Sequence, residues 1–251
     1  MPQPALTRNK EYYLFENSPP AKLICAFSTR ILGNMSLCYG DTKDSLENRK
    51  NFLQELGINY QDLVCAQQVH GDKTRYVRET DKGKGAMSYE TAISNTDALV
   101  TDKKNLPLAI FTADCLSIFL YDPKTPAIGL VHAGWKSIRL NIVARTLRLM
   151  QEKFDTEVKD LSIGFGPAIR NCCYAVEKEF TDFFNYGLTQ KDGHYYLDLV
   201  EINKRQLLDL GIKDKNIFDF GICTVCRNIE FFSYREEGNN CGRMMSVMML
   251  L

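Results

Sequence analysis

One cysteine and two histidines have the residue types and spacing that chemistry needs. In residues 111–137, FTADCLSIFLYDPKTPAIGLVHAGWKS, two β-type runs (116–121 and 126–131) flank the turn-forming segment DPKTP. Cys115 precedes the first run and His132 follows the second. Antiparallel pairing would put a thiol and an imidazole at the same end of one hairpin. His70 ends another β-type run, 63–69. Small residues follow both histidines, as His70-Gly71 and His132-Ala133-Gly134, and leave room for a ligand. Two His, one Cys and an open fourth position suit a catalytic zinc site, in which water completes the tetrahedron. Cys115 and His132 equally suit a metal-free thiolate–imidazolium nucleophile pair. A half-buried thiol with two histidines satisfied by backbone is the third reading that the spacing allows.

The elements that must position these residues are mostly short. Residues 22–28 (KLICAFS) read as a strand leading to Arg30, which faces an anion or solvent. Residues 44–56 read as an amphipathic helix with Leu46, Phe52, Leu53 and Leu56 on its apolar face, capped by Asp44 or Ser45 and stopped by Gly57. Residues 71–95 turn polar and Gly/Lys-rich after a short strand, as a surface loop does. Strands follow at 97–101 and 106–111. Gly134 and Trp135 open a long helix, 138–154, whose free N–H groups would favour an anion near His132, with Lys136 adding charge. A strand at 161–165, helices at 177–184 and 199–210, a strand at 218–222, an aromatic strand before Tyr234 and Arg235, and an apolar strand after Arg243 complete the chain. His194 lies in a polar loop and is the weakest ligand candidate of the three histidines. Helices and strands mix without a βαβ rhythm, which points to α+β with mixed sheets in one domain, 1–251, preceded by a partly irregular extension over 1–22.

Composition excludes several classes. Lys and Arg total 31, as do Asp and Glu, for zero net charge, and neither half is markedly basic. Nothing here speaks for nucleic acid or an anionic membrane. No apolar run reaches the ~18 residues of a membrane span, and MPQPALTRNKEYYLF lacks the apolar core of a signal peptide. Nine cysteines without an export signal imply reduced thiols and a cytoplasmic location. The CTVC at 223–226 hints at redox or zinc chemistry, but no second CxxC accompanies it.

Several segments together, TADCLSIFLYDP, IGLVHAGW, FSTR, ENRKNFLQELGI, QVHG, GPAIRNCCYAV and FFSYR, resemble the YfiH family of laccase-domain proteins, long labelled multicopper polyphenol oxidases, whose bacterial members include YlmD-type proteins. The resemblance runs from about Cys25 onward. It implies an α+β fold shared with cytotoxic necrotizing factor toxins and zinc held by His70, Cys115 and His132, with copper as the alternative metal. It also implies a purine nucleoside phosphorylase of broad scope that deaminates adenosine as well. Asn34, Lys136, Ser137, Asn141 and the Asn240-Cys241 before Gly242-Arg243 depart from the family pattern, but none is among the three ligands that the resemblance implies.

The expected partners are therefore a nucleoside and phosphate. Seating phosphate needs cations, for which Arg30, Lys136 and Arg235 are the candidates, each otherwise an ordinary surface charge. Trp135, Tyr234 or Phe111 would stack on the base or belong to the core. Asp114 is a nominal proton carrier for deamination, if strand alternation does not turn it away. Competing readings are a cysteine hydrolase using Cys115 and His132 on an amide or cell-wall precursor, a copper-dependent phenol oxidase, and a non-catalytic interaction protein. Three histidines are too few for a multicopper centre.

Overall fold

The computed structural model of the chain describes residues 5–9, 11–16 and 23–251. Two six-stranded sheets form its middle. The first runs, from edge to edge, β1 (Ala5–Arg8), β2 (Tyr12–Glu16), β3 (Leu23–Ser28), β15 (Met244–Leu250), β7 (Leu108–Thr112) and β4 (Val64–Cys65). The second runs β14 (Ile217–Asp219), β10 (Ser162–Phe165), β8 (Leu116–Asp122), β9 (Ala127–Ala133), β6 (Ala98–Thr101) and β5 (Thr74–Tyr76). Three pairings are parallel, β4 with β7, β10 with β14 and β5 with β6, so both sheets are mixed. A small third sheet, β11 (Ala175–Val176), β13 (His194–Leu197) and β12 (Leu188–Lys191), stands apart.

Side-chain alternation stacks the layers. Along β15, Met244 and Met248 point into the core between the sheets, against Phe119, Ile128 and Leu130 of the second sheet. Met245, Val247 and Met249 point the other way, onto Phe52 and Leu53 of α1 (Thr42–Glu55). The outer face of the second sheet is covered by α3 (Ile142–Phe154), through Val143, Leu147 and Met150, and by α4 (Leu199–Asp209). The order is helix, sheet, sheet, helices, an α+β architecture with mixed sheets flanked by helices.

Several local expectations change. Lys22 lies outside the described residues, and Ala5–Arg8 and Tyr12–Glu16 pair antiparallel and extend the first sheet. α1 is capped by Asp41, whose carboxylate accepts from the N–H groups of Lys43 and Asp44, and not by Asp44 or Ser45. The long helix is broken. α2 (Trp135–Arg139) ends at Leu140, and Asn141 takes φ +57 before α3 begins. A five-residue helix supplies little dipole, so the anion-favouring helix start expected near His132 is largely lost. The segment 71–95 is not loose. Ala86 is fully buried, and a Cβ on Gly85, at φ +80, would meet Cys65 and Ala92 at 2.7 Å. The strand expected at 218–222 is only the three residues of β14, and the aromatic run before Tyr234 is a turn leading into α5 (Tyr234–Glu237). Among the described residues no helix is long and apolar enough to cross a membrane.

Candidate metal centre and its cavity

The central hairpin forms in the register that its sequence suggests. Leu116 pairs with Ala133 and Ser117 with His132, so His132 lies inside β9 rather than after it, and Cys115 occupies the bend before β8. Asp114 makes that bend at φ +83, a conformation that few non-glycine residues adopt. Its carboxylate accepts from Thr224 Oγ1 at 2.6 Å and from the Arg235 N–H at 2.7 Å, and its carbonyl accepts from the Ile169 N–H at 2.9 Å. Both carboxylate oxygens hold the turn in place, which leaves Asp114 a positioning residue.

His70 arrives differently from the expectation. The strand stops at Cys65, a single bridge joins Ala66 to Ile93, and His70 sits at φ +58. The backbone N–H groups of Val69, His70 and Gly71 donate to the Asp97 carboxylate at 3.2, 2.9 and 2.8 Å, in place of a sheet neighbour. Asp97 also accepts from Nδ1 of His132 at 2.8 Å, and its backbone carbonyl accepts from the His132 N–H at 2.8 Å. One buried carboxylate thus orients both histidines.

The three side chains converge. Cys115 Sγ lies 3.7 Å from His70 Nε2, the two imidazole rings are 4.7 Å apart at 79°, and all three donor atoms fall within 4.8 Å of one another. A tetrahedral ion with bonds of about 2.0 Å to nitrogen and 2.3 Å to sulfur sets N and S about 3.6 Å apart. Asp97 on Nδ1 of His132 is the outer carboxylate that metal-bound imidazoles ordinarily have. Gly134 supplies the space, since a Cβ there would lie 2.9 Å from His70 Cδ2 and 3.0 Å from Cys115 Sγ. The donor set fits a metal ion.

The electrostatics of the trio favour ligation. Burial by itself would raise the Cys115 thiol, but hydrogen bonds and charge from His132 and His70 outweigh it and bring the thiol down to about 6. Burial would lower His132, yet Asp97 and Cys115 raise it to about 9. Burial likewise opposes ionisation of Asp97, and its bonds from His132 and the backbone N–H groups hold it below the ordinary carboxylate range.

A cavity of about 770 Å³ opens beside the trio. Its size falls within the ~300–1,000 Å³ common for small-molecule sites. Lys136 and Arg235 line it, as do Trp135, Phe111 and Tyr234. Arg30 does not. Its guanidinium meets the Glu237 carboxylate at two 3.2 Å contacts and lies 4.8 Å from the Phe232 ring. Two further cations line the cavity. Arg49 is almost fully buried on α1, donates to the carbonyls of Met35, Gly85 and Ala86, and stacks 4.6 Å over Phe111. Arg243 stacks 4.1 Å over Tyr39. Helical periodicity misses Arg49 because it places a charge where an apolar residue is expected. Asp97, a lone acid before a strand, carries no sequence signal of its role. His194 is exposed at the start of β13, in the small third sheet.

The chain is similar to several known proteins. The purine nucleoside phosphorylase YlmD of Geobacillus stearothermophilus is 34% identical over 223 residues, covering 85% of this chain and 81% of that protein. Adenosine deaminase RL5 from an unidentified prokaryote is 28% identical over 207 residues, covering 79% of each. The crystal structure of the Bacillus licheniformis hypothetical protein YfiH superposes with a TM-score of 0.92 at 31% identity, over 98% of this chain and 99% of that one. The family model described as multi-copper polyphenol oxidoreductase laccase matches residues 29–251, from just before Arg30 through β15 and so across every residue of the trio and its cavity. With that match over most of its length, the chain belongs to the multi-copper polyphenol oxidoreductase laccase family.

Proposed function

We propose that the chain is a zinc-dependent purine nucleoside phosphorylase of broad scope that also deaminates adenosine. The observation that carries this reading is one cavity combining the His70–Cys115–His132 donor set with cations and aromatic faces. A nucleoside needs an aromatic platform for its base, and phosphate needs fixed positive charge. The relatives whose names state nucleoside phosphorolysis and adenosine deamination align with 85% and 79% of this chain, at 34% and 28% identity.

In phosphorolysis a phosphate oxygen bonds to C1′ while the electron pair of the C1′–N9 bond leaves with the purine. Lys136 and Arg235 are placed to seat the phosphate, and Trp135, Phe111 and Tyr234 offer faces for the base. Burial and the nearby Cys115 raise Tyr174 to about 12, so its phenol stays protonated and can donate to the substrate. In deamination water adds at C6 and ammonia leaves. His70, Cys115 and His132 would hold the ion, which when bound would supply Lewis acidity. Asp97 keeps His132 in one tautomer throughout. All nine cysteines are unbridged, which suits a reducing cytoplasm where Cys115 stays reduced.

A second reading has its own support. Cys115, His132 and Asp97 form a thiolate–imidazolium–carboxylate line, the arrangement of a cysteine hydrolase. Metal content separates the two. Purified protein is analysed for zinc and copper and incubated with adenosine and inosine, with and without phosphate. Zinc at the trio, phosphate-dependent base release, and loss of that one ion and of base release in His132→Ala support the phosphorylase. Protein whose metal content is unchanged by His132→Ala, that leaves nucleosides intact and that alkylates rapidly at Cys115, overturns the phosphorylase and favours the hydrolase.

A further inference from the structure

Away from the cavity, two loops bring four thiols together. Cys172 and Cys173 follow β10, and Cys223 and Cys226 follow β14. A parallel bridge between Ala168 and Cys223 holds the loops in register, and the Thr224 N–H donates to the Ala168 carbonyl at 3.1 Å. Cys226 Sγ lies 3.5 Å from Cys172 Sγ and 3.4 Å from Cys173 Sγ, and the four sulfurs all fall within 4.8 Å of one another. None of the four lines the cavity.

We propose that Cys172, Cys173, Cys223 and Cys226 form a second metal site, a closed four-thiolate site for Zn²⁺. A tetrahedral zinc–thiolate centre with bonds of about 2.3 Å has sulfurs about 3.8 Å apart, close to the spacing already present. Cys223 is buried while Cys172 and Cys226 are exposed, so an ion has a way in. On binding, the thiols give up their protons to solvent and four Zn–S bonds form. Four protein ligands leave no open position, which makes the site structural rather than catalytic.

The position of the cluster gives it a task. Thr224, between the two ligands of the CTVC segment, holds the Asp114 carboxylate, and Ile169, on the other loop, holds the Asp114 carbonyl. Asp114 is the residue before Cys115. A metal joining the two loops would brace, from outside the cavity, the turn that presents the cavity thiol. It would also cross-link segments 54 residues apart in the chain.

Metal analysis of Cys115→Ser, which removes a cavity ligand, tests this without touching the cluster. The expectation is about one tightly held zinc per chain in Cys115→Ser, none after the further change Cys226→Ser, and a melting temperature lower by roughly 5–10 °C once that ion is gone. Cobalt-loaded Cys115→Ser should show thiolate charge-transfer absorption. Absence of that absorption, or a metal-free cluster of four freely alkylated thiols, overturns the proposal. So does a peptide lighter by two hydrogens that links Cys226 to Cys172 or Cys173 in unreduced wild-type protein. Loss of nucleoside chemistry in the cavity bears on the function proposed above and leaves this count unchanged.

Discussion

The Asp97 carboxylate lies 2.8 Å from Nδ1 of His132 while also receiving the N–H of His70 at 2.9 Å, so one buried acid fixes both imidazoles of the site. Asp97→Asn removes the charge and offers the ring an amide that can donate as well as accept. Metal affinity, read by competition with a chromophoric chelator, should fall about 10–100-fold. Affinity equal to wild type would show that Asp97 does not orient His132.

Metal binding should also depend on pH in a stated direction. In the metal-free protein Cys115 is a thiolate above about 6, and His132 keeps its proton up to about 9. Ligation requires His132 neutral, so in this window the ion displaces one proton from it. Affinity should rise roughly tenfold per pH unit from 6 toward 9 and then level off. Below 6 the thiol must be ionised as well, and the slope steepens. A flat profile between 6.5 and 8.5 would contradict the raised imidazole.

Gly134→Ala separates site from fold. The backbone at Gly134 has φ −79, which alanine accepts, but the new methyl would press on His70 and Cys115 at 2.9 and 3.0 Å. Thermal stability should change by only about 1 kcal/mol or less, while the ion of the trio and turnover are lost. Full metal content in this variant would mean that the trio has room to spare.

The cations should sort by location. Arg235→Ala or Lys136→Ala should raise the KM for phosphate roughly 10–100-fold, the value of a charged hydrogen bond of about 1.5–3 kcal/mol, with smaller effects on the nucleoside KM. Arg30→Ala should leave the phosphate KM unchanged, because Arg30 is paired with Glu237 outside the cavity. A phosphate defect in Arg30→Ala with none in Arg235→Ala would reverse the assignment.

What could be read from the chain follows the range of each interaction. The hairpin was legible because strand, turn and strand are contiguous, so Cys115 and His132 meet through local geometry. The buried strand 244–250 was legible from its apolar run, which only Ser246 interrupts. His70 was placed by the wrong device: a β-type run suggested a strand, while the actual anchor is Asp97, 27 residues away. Asn141 reads as an ordinary helix residue, yet it adopts a left-handed conformation that splits the helix. Arg49 resembles any polar helix position until the segment at Gly85 and Ala86 folds over it. The partner pair for CTVC was invisible because Cys172 and Cys173 approach it only through the alignment of two distant loops.

The strand order of the first sheet has a consequence for biosynthesis. β15 follows every other strand among the described residues, yet it lies between β3 and β7 and hydrogen-bonds to both. Until the ribosome releases residues 244–250, β3 and β7 each present a bare edge, the kind of surface on which nascent chains join one another. The second sheet, with the β8–β9 hairpin, has all of its strands once residue 219 has emerged. The nascent protein therefore passes through a stage in which its chemical centre is largely assembled on a half-built body, and closure of the first sheet waits for the last strand.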